Sequence, residues 1–508
     1  MADIEELVRR HDQYQFEIKL GYDLNKNIRR DVYKVETFFF LPYNLDVNES
    51  TYSKKAFYRD LLLYIRFKTP DFPLSSLTNP DNPRSPLTKI AQKIDDALKS
   101  PTAAHWDSLG YEIKLLGCVL KSSLRDHINF IEKQFRRFGP GKEQRLELEC
   151  APLLNEYLLR TRTAAQSYRA FREKLKSTAV PAASYATYLF LDEYISLLIE
   201  GRTHQLLQFL YRAPTTACPK GTLEKLTDLI REEVDYRSGM GYPSVAKSED
   251  DNEAFVYRLG ILKKFAAGIL HLDVRTTEEG YGLQQIALAI GAGIAMVFAT
   301  SIAFYYQRAY GTLSLSFFVA LVISYMFKDR LKAACQSYLQ KILSKNLFDQ
   351  STDIYDQFNG EKIGLCRENF HFAKEAHLDP LAVRLRNRDH VTEIENEWRS
   401  EKIIHYAKEI VLFSRKLLKN QSRKTALTDI LRFNVRNFLL KMDEPKTDLF
   451  VLEEGKSVVR QGVHVYNVNV VIKFTSGREV RYERFRLVLT RNGIRRIEPI
   501  GSEVVSAG

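Results

Sequence analysis

The sequence predicts a mainly α membrane protein. A two-span transmembrane helical hairpin stands between a cytosolic helical-bundle region, with a small N-terminal β-hairpin, and a cytosolic α+β C-terminal region ending in a β-meander. Three observations carry this: a long apolar stretch broken only at its middle, apolar residues at helical spacing well before it, and strict apolar–polar alternation near the end.

The apolar stretch runs from Tyr281 to Phe327, and between Glu279 and Lys328 its only charged side chain is Arg308. It therefore divides into two runs joined by a polar, aromatic turn. Leu283 to Tyr305 would be about 34 Å long as a helix and Tyr310 to Phe327 about 27 Å, which suits a bilayer core of about 30 Å. A hairpin buried in a soluble core would usually show a polar face, and neither run has a charge on any face. Tyr281, Tyr305, Tyr306, Tyr310, Tyr325 and Phe327 fall near the run ends, where amphipathic rings favour the interface.

Small residues recur every fourth position in both runs: Ala287, Gly291, Ala295, Ala299 and Ala303, then Thr312, Ser316, Ala320 and Ser324. Such rows let antiparallel helices approach closely in lipid, so the two are expected to face each other, with Ile290, Ile294, Val297, Phe298 and Phe317 outward. Arg258, Lys263, Lys264 and Arg275 precede the hairpin, and Lys328, Arg330, Lys332, Lys341 and Lys345 follow it. Lys and Arg concentrate on the cytoplasmic side, so both flanks and both termini are expected there, at the cell (inner or plasma) membrane, with only the turn on the far side. The same flanks would meet acidic lipid headgroups.

The 508 residues suggest two to four domains, and 45% hydrophobic with 27% charged is ordinary globular composition. The expected division is an α+β region at 1–100, a long-helix bundle at 101–235, and a linker with a juxtamembrane helix at 236–280. The hairpin at 281–327, a basic helix at 328–347 and an α+β domain at 348–508 follow. The start, MADIEELVRR, has no apolar core and no secretory signal is expected. Cys118, Cys150, Cys218, Cys335 and Cys366 are scattered and odd in number, which fits a reducing compartment. A net charge of +12 is partly the juxtamembrane excess already named, so the bilayer is the expected partner, with an unknown protein or a second copy, rather than nucleic acid.

Before the hairpin, QYQFEIKLGY and DVYKVETFFFLP read as paired strands within 13–42, followed by a helix from Lys54 to Phe67 and a proline-rich break. Leu109, Ile113, Leu116, Leu120, Leu124, Ile128, Ile131, Phe135 and Phe138 line one face of a helix of about 35 residues. Two further stripes, Leu154 to Leu175 and Tyr188 to Leu210, make a three-helix bundle. A helix around Leu223 to Val234 and a linker from Tyr236 lead to EAFVYRLGILKKFAAGILHL, which suits either the membrane interface or the bundle surface.

After the hairpin, KIGLCRENFHF, LAVRLR and KIIHYAKEIVLF read as strands, and 425–442 as a helix with Leu427, Ile430, Leu431, Val435 and Leu439 on one face. His464, Tyr466, Val468, Val470, Ile472 and Phe474 alternate with more polar neighbours, and TSGR and RNG mark the turns of a closing meander. Arg478, Arg481, Arg484, Arg486, Arg495 and Arg496 in its last strands form either a solvated face or a phosphate-contacting one.

The sequence carries no GxxxxGK[ST] loop, no HExxH and no GxSxG, so the common nucleotide, zinc-protease and hydrolase sites are excluded. No catalytic, cofactor or metal residue is assigned. The expected function is a non-enzymatic scaffold, sensor or interaction protein anchored by the hairpin. The alternatives are a membrane-tethered enzyme or effector using 350–415, where Cys366, His371, His377, His390 and His405 gather, or a phosphate- or nucleic-acid-binding C-terminal domain held at the membrane.

Overall fold

The computed structural model describes residues 8–23, 29–137, 143–212, 221–245, 252–311, 314–357, 360–386, 401–414, 426–477 and 479–506. In chain order it begins with strands β1 (Val8–Arg10), β2 (Gln15–Asp23) and β3 (Asp31–Leu41), helix α1 (Lys54–Asp60) and strand β4 (Leu61–Phe67). Helices α2 (Leu74–Leu77), α3 (Pro86–Lys99), α4 (Ala103–Arg137), α5 (Glu143–Arg169), α6 (Arg172–Leu175), α7 (Ala182–Arg212), α8 (Thr222–Met240) and α9 (Glu253–Ala267) follow. Strand β5 (Asp273–Glu278) leads into helices α10 (Tyr281–Tyr310) and α11 (Leu315–Asn346). Then come β6 (Gln350–Tyr355), β7 (Lys362–Ala373), α12 (Pro380–Arg386), β8 (Lys402–Leu412) and β9 (Ala426–Asn434). Strands β10 (Lys446–Glu453), β11 (Lys456–Val463), β12 (Tyr466–Ser476), β13 (Glu479–Thr490) and β14 (Gly493–Ser506) close the chain.

Contacts divide the chain into two units, Met1–Arg66 with Leu272–Gly508, and Phe67–His271. The first unit is discontinuous because strands from both chain ends share its sheets. β3, near the start, lies between β12 and β8 in an eight-stranded sheet of order β14-β13-β12-β3-β8-β7-β6-β5. A second sheet has the order β1-β2-β9-β4, and an isolated pair is formed by β10 and β11. The N-terminal hairpin is thus β1 with β2, while β3 crosses to the other sheet. The meander β12-β13-β14 forms one side of the large sheet.

Aromatic rings fill the space between the two sheets: Phe39 meets Phe433 at 5.2 Å, Phe16 meets Phe485 at 6.1 Å, and Phe57 of α1 stacks on Phe370 at 4.4 Å. All six are buried, each contributing roughly 1.5–3 kcal/mol by leaving water. Two expectations change here. The helix read from Lys54 to Phe67 ends at Asp60, where the chain enters β4. The helix read over 425–442 is strand β9, whose burial on both sides hides the period of two.

The other unit is helical. α4 is 35 residues long and buries Leu109, Ile113, Leu116, Leu120, Leu124, Ile128, Ile131 and Phe135. Its interior also holds ion pairs: Arg237, 1% exposed, binds Glu200 and, at 2.9 Å, Ser196 Oγ. Helix α8 runs on through Met240 into the expected linker, and 246–251 lies outside the described residues. Helix α9 sits on the bundle, burying Leu262 and Ala266 and clasping Glu193 with both arms of Arg258 at 2.6 Å.

Candidate functional site

Helices α10 and α11 form an antiparallel hairpin inserted between the edge strand β5 and its neighbour β6, so a strand pair continues directly into a helix pair. The root is closed by Gly280, which has φ 76° and leaves room for Leu347; a Cβ there would stand 2.4 Å from Leu347 Cδ1. Only glycine takes this backbone freely. Gly282–Ala309 is long and apolar enough to cross a membrane, by length and composition, and is the one such helix among the described residues.

The inner face of α10 carries Ala287, Gly291 and Ala295, all buried, then Ala299 and Ala303, half-buried. A Cβ on Gly291 would come 2.8 Å from Gln336 Cγ, so this glycine permits close contact. Ser324 Oγ donates to Ala299 O at 3.4 Å and Gln336 Nε2 to Leu288 O at 3.0 Å, which fixes the register. On α11 the structure brings Ser324 and Ala320 inward but leaves Ser316 exposed and Phe317 half-buried, the reverse of the expected pair. A strict every-fourth row drifts about 40° per step around a helix of 3.6 residues per turn, and the real seam corrects for it with Phe317, Ala320 and Ser324. Thr312 lies outside the described residues. Ile290, Ile294, Val297 and Phe298 point outward.

The same register sets Lys328, Arg330 and Lys332 of α11 level with Gly291 to Met296, halfway along the apolar run of α10. The length over which both helices lack charge is therefore the distal part alone, from Val297 on α10 and up to Phe327 on α11. It measures roughly 20 Å, short of the bilayer core by about 10 Å.

The arginines of the meander divide. Arg484 is buried at 6% exposure, donating to Leu385 O and Asn469 Oδ1 at 2.9 Å each, so it serves the interior. Arg481 pairs with Glu483, and both Arg486 and Arg496 reach Glu498. Arg495 is exposed beside a cavity of about 340 Å³, and Arg478 lies outside the described residues.

The candidate side chains of 350–415 separate by strand face. Cys366 turns inward beside Glu368, Tyr406 and Lys408, all buried. There Lys408 Nζ meets Asp429 at 2.6 Å and Tyr22 OH donates to Asp429 at 2.9 Å. Burial pushes the Cys366 thiol well up and raises the Glu368 carboxyl, the latter against Lys408 and the Tyr406 hydroxyl. Burial would lower the Lys408 ammonium, but Asp429, Cys366 and Glu368 outweigh it. A protonated thiol is no nucleophile, so this face is a closed structural network.

His371 and His405 turn to the opposite face, on neighbouring strands β7 and β8 and directly across from each other. His405 Nδ1 lies 3.3 Å from His371 Nε2, and its other nitrogen, Nε2, lies 3.2 Å from Glu36 Oε1 on β3. Phe38 stacks on the His405 ring at 4.6 Å and holds its plane. Glu36 is braced by Lys473, which also binds Asp379 at 2.6 Å, and Asp379 accepts from Tyr482 OH at 2.7 Å. The His405 hydrogen bond, opposed by burial and helped by Lys473, lowers the Glu36 carboxyl. Partial desolvation of the ring by its neighbours on the sheet, then His405, lowers the His371 imidazole, although the residue as a whole is exposed.

This row opens on a cavity of about 330 Å³ that His377 and Lys374 also line. Sequence reasoning grouped His371, His377 and His405 but missed Glu36, whose distance along the chain leaves no local signal. His390 lies outside the described residues. Among the described residues no three metal-type side chains converge closely enough to hold an ion by themselves. No known protein family, curated protein or solved structure matches this chain.

Proposed function

We infer that this chain is a membrane-anchored scaffold, sensor or interaction protein, held by the α10–α11 hairpin with both large units on the cytoplasmic side. The observation that carries the reading is the hairpin's outer surface. Val297 is 66% exposed, Phe304 70%, Leu315 78% and Phe318 64%, on a helix pair whose small residues already face inward. In water such a surface forfeits roughly 1.5–3 kcal/mol per large side chain, and in lipid it does not.

Both helices cross in this reading. Lys328, Arg330 and Lys332 extend back to acidic headgroups on the cytoplasmic side while Arg308 reaches forward, and their long stems make up the length that the charge-free segment lacks. The partner on the cytoplasmic side is a protein or a second copy of the chain. A second reading, a membrane-tethered enzyme or effector, is favoured by one observation, the His371–His405–Glu36 row facing a cavity.

Single cysteines at Gln307, Ser50 and Ser457 in intact cells test the anchoring. An impermeant reagent applied outside should label Gln307→Cys and spare the other two until the cells are opened. Labelling of Ser50→Cys or Ser457→Cys from outside, or release of the chain by alkaline carbonate, ends the reading. Gly291→Leu should force the helices apart, at a cost of roughly 1–3 kcal/mol by analogy with overpacked cores, and make the hairpin protease-sensitive.

A further inference from the structure

We propose that His371 and His405 form a two-histidine clasp for a divalent transition ion of the zinc class, with Glu36 as the carboxylate that orients it. The inference does not rest on membrane attachment. Three features of the row point the same way.

The first is spacing. His405 Nδ1 and His371 Nε2 stand 3.3 Å apart, long for a nitrogen–nitrogen hydrogen bond. Two imidazole nitrogens bound to one tetrahedral ion at about 2.0–2.1 Å lie about 3.3–3.4 Å from each other. At that separation the two nitrogens can share an ion once the proton between them is lost.

The second is the remote nitrogen of His405. Metal-bound histidines almost always give their other ring N–H to a carboxylate or carbonyl, which fixes the tautomer and makes the ligating nitrogen more basic. Glu36 Oε1 at 3.2 Å from His405 Nε2 is that partner, and with the proton on Nε2 the lone pair of Nδ1 is left free on the side of His371. Glu36 is itself held by Lys473, and Phe38 against the ring prevents rotation. Imidazole donors suit zinc, copper and nickel and not the hard cations magnesium and calcium.

The third is access. Both rings line the 330 Å³ cavity, so the remaining coordination positions face solvent and are filled by water or by a small oxygen ligand. An open site of this kind binds an ion more weakly than a closed structural one, and it presents a Lewis acid to whatever enters.

Zinc chloride titrated calorimetrically into the full chain in detergent, with cobalt as the spectroscopic stand-in, tests the clasp. Saturable binding is expected in the wild-type chain and in the distant control His105→Gln. It should be lost in His405→Gln and His371→Gln, and weakened about 10-fold or more in Glu36→Gln, the usual effect of removing such a partner. A measurement on the unaltered chain guards against misfolding: zinc should protect His371 and His405 from diethyl pyrocarbonate, read by peptide mass spectrometry. Equal binding in the histidine variants, or unprotected His371 and His405 at saturating zinc, overturns the proposal.

Discussion

Strands β7 and β8 carry charge on both faces, and the two faces have opposite fates. On the inner face Lys408 and Asp429 are each about 1% exposed and tied to each other, with Glu368 and Tyr406 alongside. On the outer face His405 and His371 sit three residues from Lys408 and Glu368 along the same strands, half-buried and exposed respectively, with a cavity in front of them. Residue type does not explain the difference. The inner face is roofed by the second sheet, so every charge there must be cancelled; the outer face is roofed only in part, by α12 packed on Phe38, Phe40 and Ile403. Closed charge is architecture and open charge is available for chemistry.

That contrast is broken most forcefully at Asp429. Asp429→Ala strands the Lys408 ammonium in the core, and the unfolding free energy of the sheet unit should fall by roughly 3–5 kcal/mol in denaturant titrations. Replacing the pair together, Lys408→Met with Asp429→Leu, should restore most of that loss, because a matched apolar pair needs no cancellation. If the double variant is as unstable as the single, the inner network does more than balance charge. On the outer face His405→Gln should cost no more than about 1 kcal/mol, since Glu36, which it hydrogen-bonds, keeps Lys473 as a partner.

The smallest effect is a pH slope. The folded chain holds His371 below its ordinary value, so as pH falls past about 6.5 the unfolded chain takes its proton first and stability declines. Denaturant midpoints at pH 7.5 and pH 5 should drop less in His371→Gln than in the wild type. An equal drop would remove His371 from the account.

How far these faces could be read in advance depended on where each partner lay along the chain. α4 and the closing meander were legible because their patterns are local: one apolar stripe, and alternation between turn signals. β9 misled because Leu427, Ile430, Leu431 and Val435 fit a helix period equally well, and what makes it a strand is β2, from the other end of the chain. LAVRLR misled the other way. It is helix α12, announced by Asp379, whose Oδ1 accepts from Leu381 N at 3.0 Å, and by Pro380 in the first turn. For the candidate site, β7 and β8 supplied both histidines legibly, but nothing in the sequence ties Glu36 to them until β3 is placed beside β8. In the hairpin, the row on α10 could be counted, while the offset that levels Lys328 with the middle of α10 exists only once the helices are docked.

The joint at Gly280 has a mechanical meaning. Because β5 leads into α10 and α11 leads back into β6, tension along the hairpin reaches both strands at the same end. The load then passes to the ladder between β6 and β7, across the paired residues Gln350 to Tyr355. Whatever pulls on the hairpin would thus load the strand pairing that borders Cys366 and Glu368, with Leu347 packed against Gly280 at the root.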